Sequence, residues 1–154
     1  EGFFGVDSFT YCAIDGRLRS NSAKVTIKVE PAIPGGLGDP KIEFTFVPPY
    51  GSYKDLEGQV FHVAPEEYRV AVFILVIGGW WNKPTWANRL TSINSDGKWV
   101  CDITTGGVDN KATKIIAFLV PQGYKPPILA GATTLPEELY ETAVATAEVE
   151  RSPQ

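Results

Sequence analysis

The chain has 154 residues, of which 44% are hydrophobic and 21% are charged, a composition that is typical of a folded globular protein and argues against general disorder. Its net charge of −4 and the lack of clustered lysine or arginine argue against nucleic acid as a partner. The longest apolar run, VAVFILVI at residues 70–77, is much shorter than the roughly 20 residues of a membrane-spanning helix, so no membrane partner is predicted.

The first thirty residues predict a β-hairpin. DSFTYCAID and SAKVTIKVE both alternate polar and apolar residues, and DGRLRSN between them has the composition of a turn. Because an isolated two-stranded hairpin is marginally stable in water, these strands either pack on the rest of the chain or belong to a preceding domain.

The same segment carries the pattern G-x-DSFTY-x-x-x-DG at residues 5–16 and A-x-VTI-x-V at residues 23–29. It thereby resembles the closing strands of cadherin-like or bacterial immunoglobulin-like repeats of long secreted bacterial proteins, although it covers only part of such a repeat. The resemblance implies a secreted or cell-surface location. It also implies calcium near a domain junction, for which Asp7, Asp15 and Asp39 are the candidate ligands.

Residues 31–40, PAIPGGLGDP, have the composition of a linker, and residues 41–150 form a second predicted unit. Its predicted strands lie in KIEFTFVPP, DLEGQVFHV, YRVAVFILVI, TKIIAFLVP and TAVATAEVE, and a hairpin is predicted around Asp96–Gly97 in LTSINSDGKWVCDIT. TLPEELYE predicts a short helix. The predicted fold class is all-β: an immunoglobulin-like β-sandwich with one short helix near the C-terminus, preceded by a β-hairpin.

Tryptophans are concentrated in GGWWNKPTW, residues 78–86. Trp99, in the alternating segment KWVCDI, is predicted to lie in the core, whereas the other three tryptophans follow a Gly-Gly break and precede or follow Pro84. Adjacent residues of an extended chain point to opposite faces, so Trp80 and Trp81 are predicted to point in opposite directions.

An exposed tryptophan cluster forgoes burial of about 2 kcal/mol per ring, and stacking against sugar rings is one explanation for it. The predicted carbohydrate-binding residues are the aromatic and polar side chains of this region and of the rigid loop VPQGYKPP: Trp80, Trp81, Trp86, Asn82, Lys83, Asn88, Arg89 and Tyr124. The alternative is a loop that folds over the end of the sandwich and buries all three rings.

Residues 47–127, which include GWW-x-KPTWAN, WVCDITTGG and AFLVPQGY, are similar to an accessory β-module of multidomain secreted bacterial glycoside hydrolases and related surface proteins. This resemblance implies a non-catalytic, glycan-binding role.

Enzyme chemistry is not predicted. The single histidine, His62, lies in a predicted strand, and neither a nucleophile elbow nor a phosphate-binding loop is found. Asp102, Asp109 and Asn110 surround a polar glycine loop and are candidate calcium ligands, but their spacing matches no calcium-loop motif and a plain turn also explains them. Cys12 and Cys101 are compatible either with one disulfide or with two buried free thiols.

The sequence is therefore compatible with two functions. One is a non-catalytic module that binds a polysaccharide or glycan on its tryptophans. The other is a structural or adhesive domain of a surface array or extracellular fibre, in which the aromatic loops contact neighbouring domains or identical chains.

Overall fold

The computed structural model describes residues 5–29 and 34–153. The chain divides into two compact units, Glu1–Ala32 and Ile33–Gln154. Residues 34–40, which had been predicted as linker, are attached to the second unit: the Gly35 amide donates a hydrogen bond of 2.6 Å to the Val63 carbonyl. Residues 31–33 of the predicted linker lie outside the described residues.

The first unit is a β-hairpin, as predicted. Strand β1 (Gly5–Tyr11) pairs antiparallel with β2 (Ala23–Val29). Asp15 holds the connecting loop, because its Oδ1 accepts hydrogen bonds from the amides of Leu18 (2.8 Å) and Arg17 (3.2 Å). These bonds, with that from Leu18 the stronger, hold the pKa of the Asp15 carboxyl below its usual range.

The second unit is built from two antiparallel sheets and one short helix. The elements are β3 (Lys41–Phe46), β4 (Leu56–Phe61), β5 (Tyr68–Val76), β6 (Gly79–Lys83), β7 (Lys98–Cys101), β8 (Lys114–Pro121), β9 (Ala130–Ala132), α1 (Glu137–Thr142) and β10 (Ala145–Glu150). The strand order is β10-β8-β5-β6-β9 in the five-stranded sheet and β3-β4-β7 in the three-stranded sheet. The predicted β-rich class and the short helix near the C-terminus are confirmed. In the described part of the chain, no helix is long and apolar enough to cross a membrane.

The two sheets of the second unit share one hydrophobic core. Residues 70, 72, 74 and 76 of β5 lie in it, because every second side chain of a strand points to the same face. From the three-stranded sheet, Leu56 and Trp99 enter the same core with 0% and 1% of their surface exposed. The core position predicted for Trp99 is therefore confirmed.

The other face of the five-stranded sheet is also buried, and this explains why β5 and β8 are apolar at nearly every position. Phe73 and Phe118 pack edge to face, with ring centroids 6.0 Å apart, and Tyr140 packs on Phe118 at 5.0 Å. Leu139 of α1 covers them and is fully buried. A strand buried on both faces was predicted for residues 68–77, and β5 confirms it.

The hairpin predicted around Asp96–Gly97 is only partly correct. The turn forms, since the Asn94 amide donates to the Lys98 carbonyl at 2.8 Å. Beyond this closing bond the arm before the turn does not pair with β7, because Thr91 pairs instead with Val70 of β5, and β7 pairs with β4. The pairing of β7 with β4 places the Trp99 ring over Gly58, where a side chain would leave no room for the indole.

Candidate ligand-binding groove

Strand β6 contains the two adjacent tryptophans and places them on opposite faces of the five-stranded sheet. Trp81 is paired with Ile74 and Trp80 with Leu75, so Trp81 lies on the side of the core between the sheets and Trp80 lies on the side of the second core. Trp80 is only 9% exposed. The Gly-Gly break and Pro84 predicted a loop here, and Trp80 was predicted to contact a sugar. The structure corrects both predictions, because β6 is paired on both sides and the Trp80 ring is covered.

The third tryptophan of the cluster lies in a loop that leaves the sheet where β6 ends. Proline cannot continue the ladder, and pairing beside β5 resumes only at Thr91. Between these points, the Asn88 amide donates to Thr85 Oγ1 (3.0 Å) and the Arg89 guanidinium donates to the Trp86 carbonyl (3.1 Å). These bonds hold the backbone on both sides of Trp86.

Trp86 folds back from this loop onto Trp81. The two rings stack with their centroids 6.3 Å apart and their planes 23° from parallel. Trp81 is half-buried, whereas 52% of the surface of Trp86 remains exposed. The pair therefore presents one open indole on top of a second indole that the core supports from below.

A groove of about 750 Å³ opens beside this pair of rings. The three-stranded sheet has too few strands to cover the whole five-stranded sheet, and the loop after β7 lies beside β6 in place of a strand. Trp81 and Val76 contribute the inner surface of the groove, while Trp86 and residues 105–108 contribute its sides. Two of the lining residues, Ile77 (88%) and Val108 (40%), are exposed apolar side chains.

Lys83 and Asp109 form a buried ion pair in the wall of this groove. Their side chains are 6% and 12% exposed. The Lys83 ammonium also donates to Thr105 Oγ1 at 3.1 Å, and the Gly106 amide donates to Asp109 Oδ2 at 2.8 Å. Lys83 had been predicted to contact a sugar and Asp109 to bind calcium, but each is occupied by the other, so the pair holds the loop of residues 105–109 against β6.

The remaining predicted sugar contacts divide between structure and surface. Asn82 is 2% exposed; its amide donates to the Pro127 carbonyl (2.9 Å), and its Oδ1 accepts from the Leu129 amide (2.6 Å). It therefore anchors the chain before β9 and is not available to a ligand. Asn88 is exposed and Arg89 is partly exposed near Trp86 in the chain, but neither lines the groove, and their contact with a sugar stays a prediction.

Tyr124 does not join the groove. Its ring is half-buried against the second core, on the same side of the sheet as Trp80. Its hydroxyl donates to Glu138 Oε1 at 2.8 Å. Burial, together with the hydrogen bond to that carboxylate, raises the pKa of Tyr124 to about 12. The prediction that grouped Tyr124 with Trp81 and Trp86 is wrong, because its loop packs on the opposite face of the sheet from those two rings.

The predicted calcium ligands Asp102, Asp109 and Asn110 are each engaged in another contact. Asp102 Oδ1 accepts hydrogen bonds from the amide and the hydroxyl of Thr104, and Asn110 donates to the Gly51 carbonyl at 3.2 Å. Over residues 5–29 and 34–153, no group of three or more His, Cys, Asp or Glu side chains is arranged to hold a metal ion. The other calcium candidates, Asp7, Asp15 and Asp39, are among these described residues and belong to no such group. Turn formation accounts for Asp102, and the ion pair accounts for Asp109.

Both cysteines are free thiols in this structure. Cys101 is 1% exposed in the core between the sheets, and burial raises the pKa of its thiol to about 12. Cys12 is only partly buried, and its sulfur accepts a hydrogen bond from Arg19 Nε at 3.0 Å.

Two apolar residues that line the groove beside the tryptophans, Ile77 and Val108, were not predicted from the sequence. Ile77 and Gly78 form the two-residue loop between β5 and β6, and an apolar run followed by two glycines is a hairpin signal that was available in the sequence. Val108 is an isolated apolar residue in a polar loop and gave no such signal.

Comparisons of the chain with protein-family models, with curated protein sequences and with solved structures found no match.

Proposed function

We propose that the second unit is a non-catalytic carbohydrate-binding module that stacks sugar rings on Trp86 and Trp81. The observation that carries the proposal is the half-exposed indole of Trp86, which a second indole and the backbone bonds of its loop hold in one orientation at the mouth of a groove. An indole left this exposed forgoes on the order of 1 kcal/mol of burial free energy, which a bound apolar surface would restore.

The chemistry of the groove suits a sugar. One face of a pyranose ring consists of C–H groups and packs on the flat indole, while the hydroxyls at its edge form hydrogen bonds. Thr85 and Asn88 lie next to Trp86, and the exposed backbone of residues 106–107 lines the groove, so polar partners surround the aromatic surface. The volume of about 750 Å³ is within the usual range for small-molecule sites.

The charged groups of the groove support binding without catalysis. Among its lining residues, Lys83 and Asp109 are the charged side chains, and they neutralise each other in a buried pair. A general acid or base must reach the reacting group of its substrate, and neither side chain is directed to solvent. The sequence resemblance to accessory modules of secreted glycoside hydrolases supports the same role and a secreted or cell-surface location.

We also propose that the two sheets form an immunoglobulin-like sandwich. The shared core, with alternate residues of β5 facing Leu56 and Trp99, supports face-to-face packing of the sheets.

A second candidate function, assembly in a surface array or fibre, is favoured by the first unit. Phe9, Tyr11 and Ile27 are 53%, 56% and 47% exposed. The register pairs Phe9 with Val25 and Tyr11 with Ala23, so these apolar side chains share one face of the hairpin. An apolar sheet face of this kind is typical of a contact surface.

The test is acrylamide quenching and emission of tryptophan fluorescence, recorded with a panel of soluble polysaccharides at several protein concentrations. If the proposal holds, a glycan protects the rings of the monomer, and Trp86→Ala lowers the affinity at least roughly tenfold, which corresponds to about 1.4 kcal/mol. Tyr53→Ala is the matched control, because Tyr53 is 74% exposed but does not line the groove. Rings that are shielded without glycan and become exposed on dilution would instead support assembly.

A further inference from the structure

Ile77 is an unusual residue for the turn it occupies. It lies in the two-residue loop that joins β5 to β6, closed by the pairing of Val76 with Gly79. Both loop residues have positive φ, 49° at Ile77 and 73° at Gly78, as in the tight hairpin turns for which Asn-Gly is the preferred sequence. A β-branched residue at positive φ is a genuine outlier, because its side chain crowds the backbone.

Exposure adds to this disadvantage. Ile77 is 88% exposed, so its side chain gains almost nothing from burial within this unit. The position thus combines an unfavourable backbone conformation with an apolar side chain in water. Such an outlier is a reason to look for a functional contact.

The position of Ile77 in the groove indicates which contact that is. Ile77 precedes β6 and Trp86 follows it, and both line the groove that extends along this strand. The Trp86 ring stacks over Trp81, the third residue of β6, so with about 3.3 Å per residue the two side chains mark the ends of a surface on the order of 10 Å long. A single sugar ring is too short to contact both ends.

We propose that Ile77 is a second contact of the groove, and that the ligand is a segment of an uncharged glycan chain lying along β6 from Trp86 to Ile77. The proposal rests on the carbohydrate-binding function and specifies its ligand. The ligand is uncharged because Lys83 and Asp109, the charged lining residues, are buried and satisfy each other, so the lining offers no free cation to an acidic sugar. The Arg89 guanidinium beside Trp86 is not among the lining residues and donates to the Trp86 carbonyl.

The experiment is calorimetric titration of the full chain and of Ile77→Asn with cello-, xylo-, manno- and chito-oligosaccharides, each from disaccharide to hexasaccharide. Asparagine suits the turn, so we expect the melting temperature of the variant to rise by roughly 2–4 °C. We expect its affinity for the longest bound oligosaccharide to fall roughly fivefold to tenfold, with little change for the disaccharide. Ile77→Gly removes the same side chain without strain at positive φ and is expected to show the same loss of affinity.

Ile128→Asn is the matched control, since Ile128 is 62% exposed and does not line the groove. If the wild-type chain binds and the Ile77 variants bind equally well at every length, this inference is overturned while the proposed function stands. If the wild-type chain binds none of the oligosaccharides, the proposed function and this inference fail together. Oligogalacturonides that bind as tightly as the neutral chains would overturn the choice of an uncharged ligand.

Discussion

Removal of the Lys83 ammonium is expected to destabilise the second unit strongly. In Lys83→Met, the Asp109 carboxylate loses its cationic partner. This side chain is only 12% exposed, and it keeps the hydrogen bond that the Gly106 amide donates to it. Thr105 also loses the ammonium that its hydroxyl accepts from. A buried charge without its partner typically costs about 3–5 kcal/mol, and we expect a decrease in the free energy of unfolding of this size.

The measurement is urea unfolding at pH 7, followed by tryptophan fluorescence. The control is Lys114→Met, because Lys114 pairs with Glu148 at 3.0 Å on the surface, where the two side chains are 27% and 57% exposed. An exposed pair contributes no more than about 1 kcal/mol. The double variant Lys83→Met/Asp109→Leu removes both charges and is expected to recover much of the loss, since apolar replacement of a buried pair is often neutral.

Two results would refute this reasoning. Equal losses in Lys83→Met and Lys114→Met would mean that water reaches the groove wall and solvates the free carboxylate. A double variant that is as unstable as Lys83→Met would mean that the packing of the lysine stem, and not the unpaired charge, causes the loss.

Two further predictions concern single core positions. In the folded chain at pH 8, Cys101 should not react with a thiol reagent while Cys12 reacts, because burial raises the pKa of the Cys101 thiol to about 12. Equal reactivity of the two thiols would contradict this burial. Because this folded-state pKa lies above the ordinary 9.0, the protonated thiol contributes stability that is complete below pH 9 and is lost as the pH rises toward 12. Gly58→Ala should lower the free energy of unfolding by about 1–3 kcal/mol, since its Cβ would lie 2.2 Å from the Trp99 ring. Gly123→Ala, where a Cβ meets nothing within 4 Å, should change it by less than about 1 kcal/mol in the same urea titration.

Strands with a strong local pattern were predictable from the sequence. The alternation in KIEFTF and ATAEVE corresponds to β3 and β10, and the continuous apolar runs correspond to β5 and β8, whose two faces are both covered. The hairpin of residues 1–30 and the core position of Trp99 follow from the same periodicity.

Strands β6 and β9 were not predictable, because their pairing depends on contacts that are distant in the chain. The Gly-Gly break and Pro84 suggested a loop, but Gly79 lets β6 approach the backbone of β9, where a Cβ would lie 2.7 Å from Gly131 Cα. The pairing of Thr91 with Val70 was not predictable for the same reason, since β6 and the loop that contains Trp86 separate the two residues in the chain.

The candidate site shows the same division. The sequence indicated that Trp80 and Trp81 point to opposite faces, because alternation is a local property of an extended chain. It did not indicate which ring is buried, that Lys83 and Asp109 are paired, or that Tyr124 lies on the far side of the sheet.

What the sequence by itself determined is therefore local: the β-rich class, the hairpin of residues 1–30, the short helix and the unusual concentration of indoles. Only the tertiary structure decided which of those indoles meets water. The pairing of β6 with its neighbouring strands determines which face of the sheet each tryptophan occupies. A loop, and not a further strand, lies beside β6 on the core side, and this leaves the groove open beside Trp86. Burial and charge pairing depend on residues brought together from distant segments, and a periodic pattern within one segment does not contain that information.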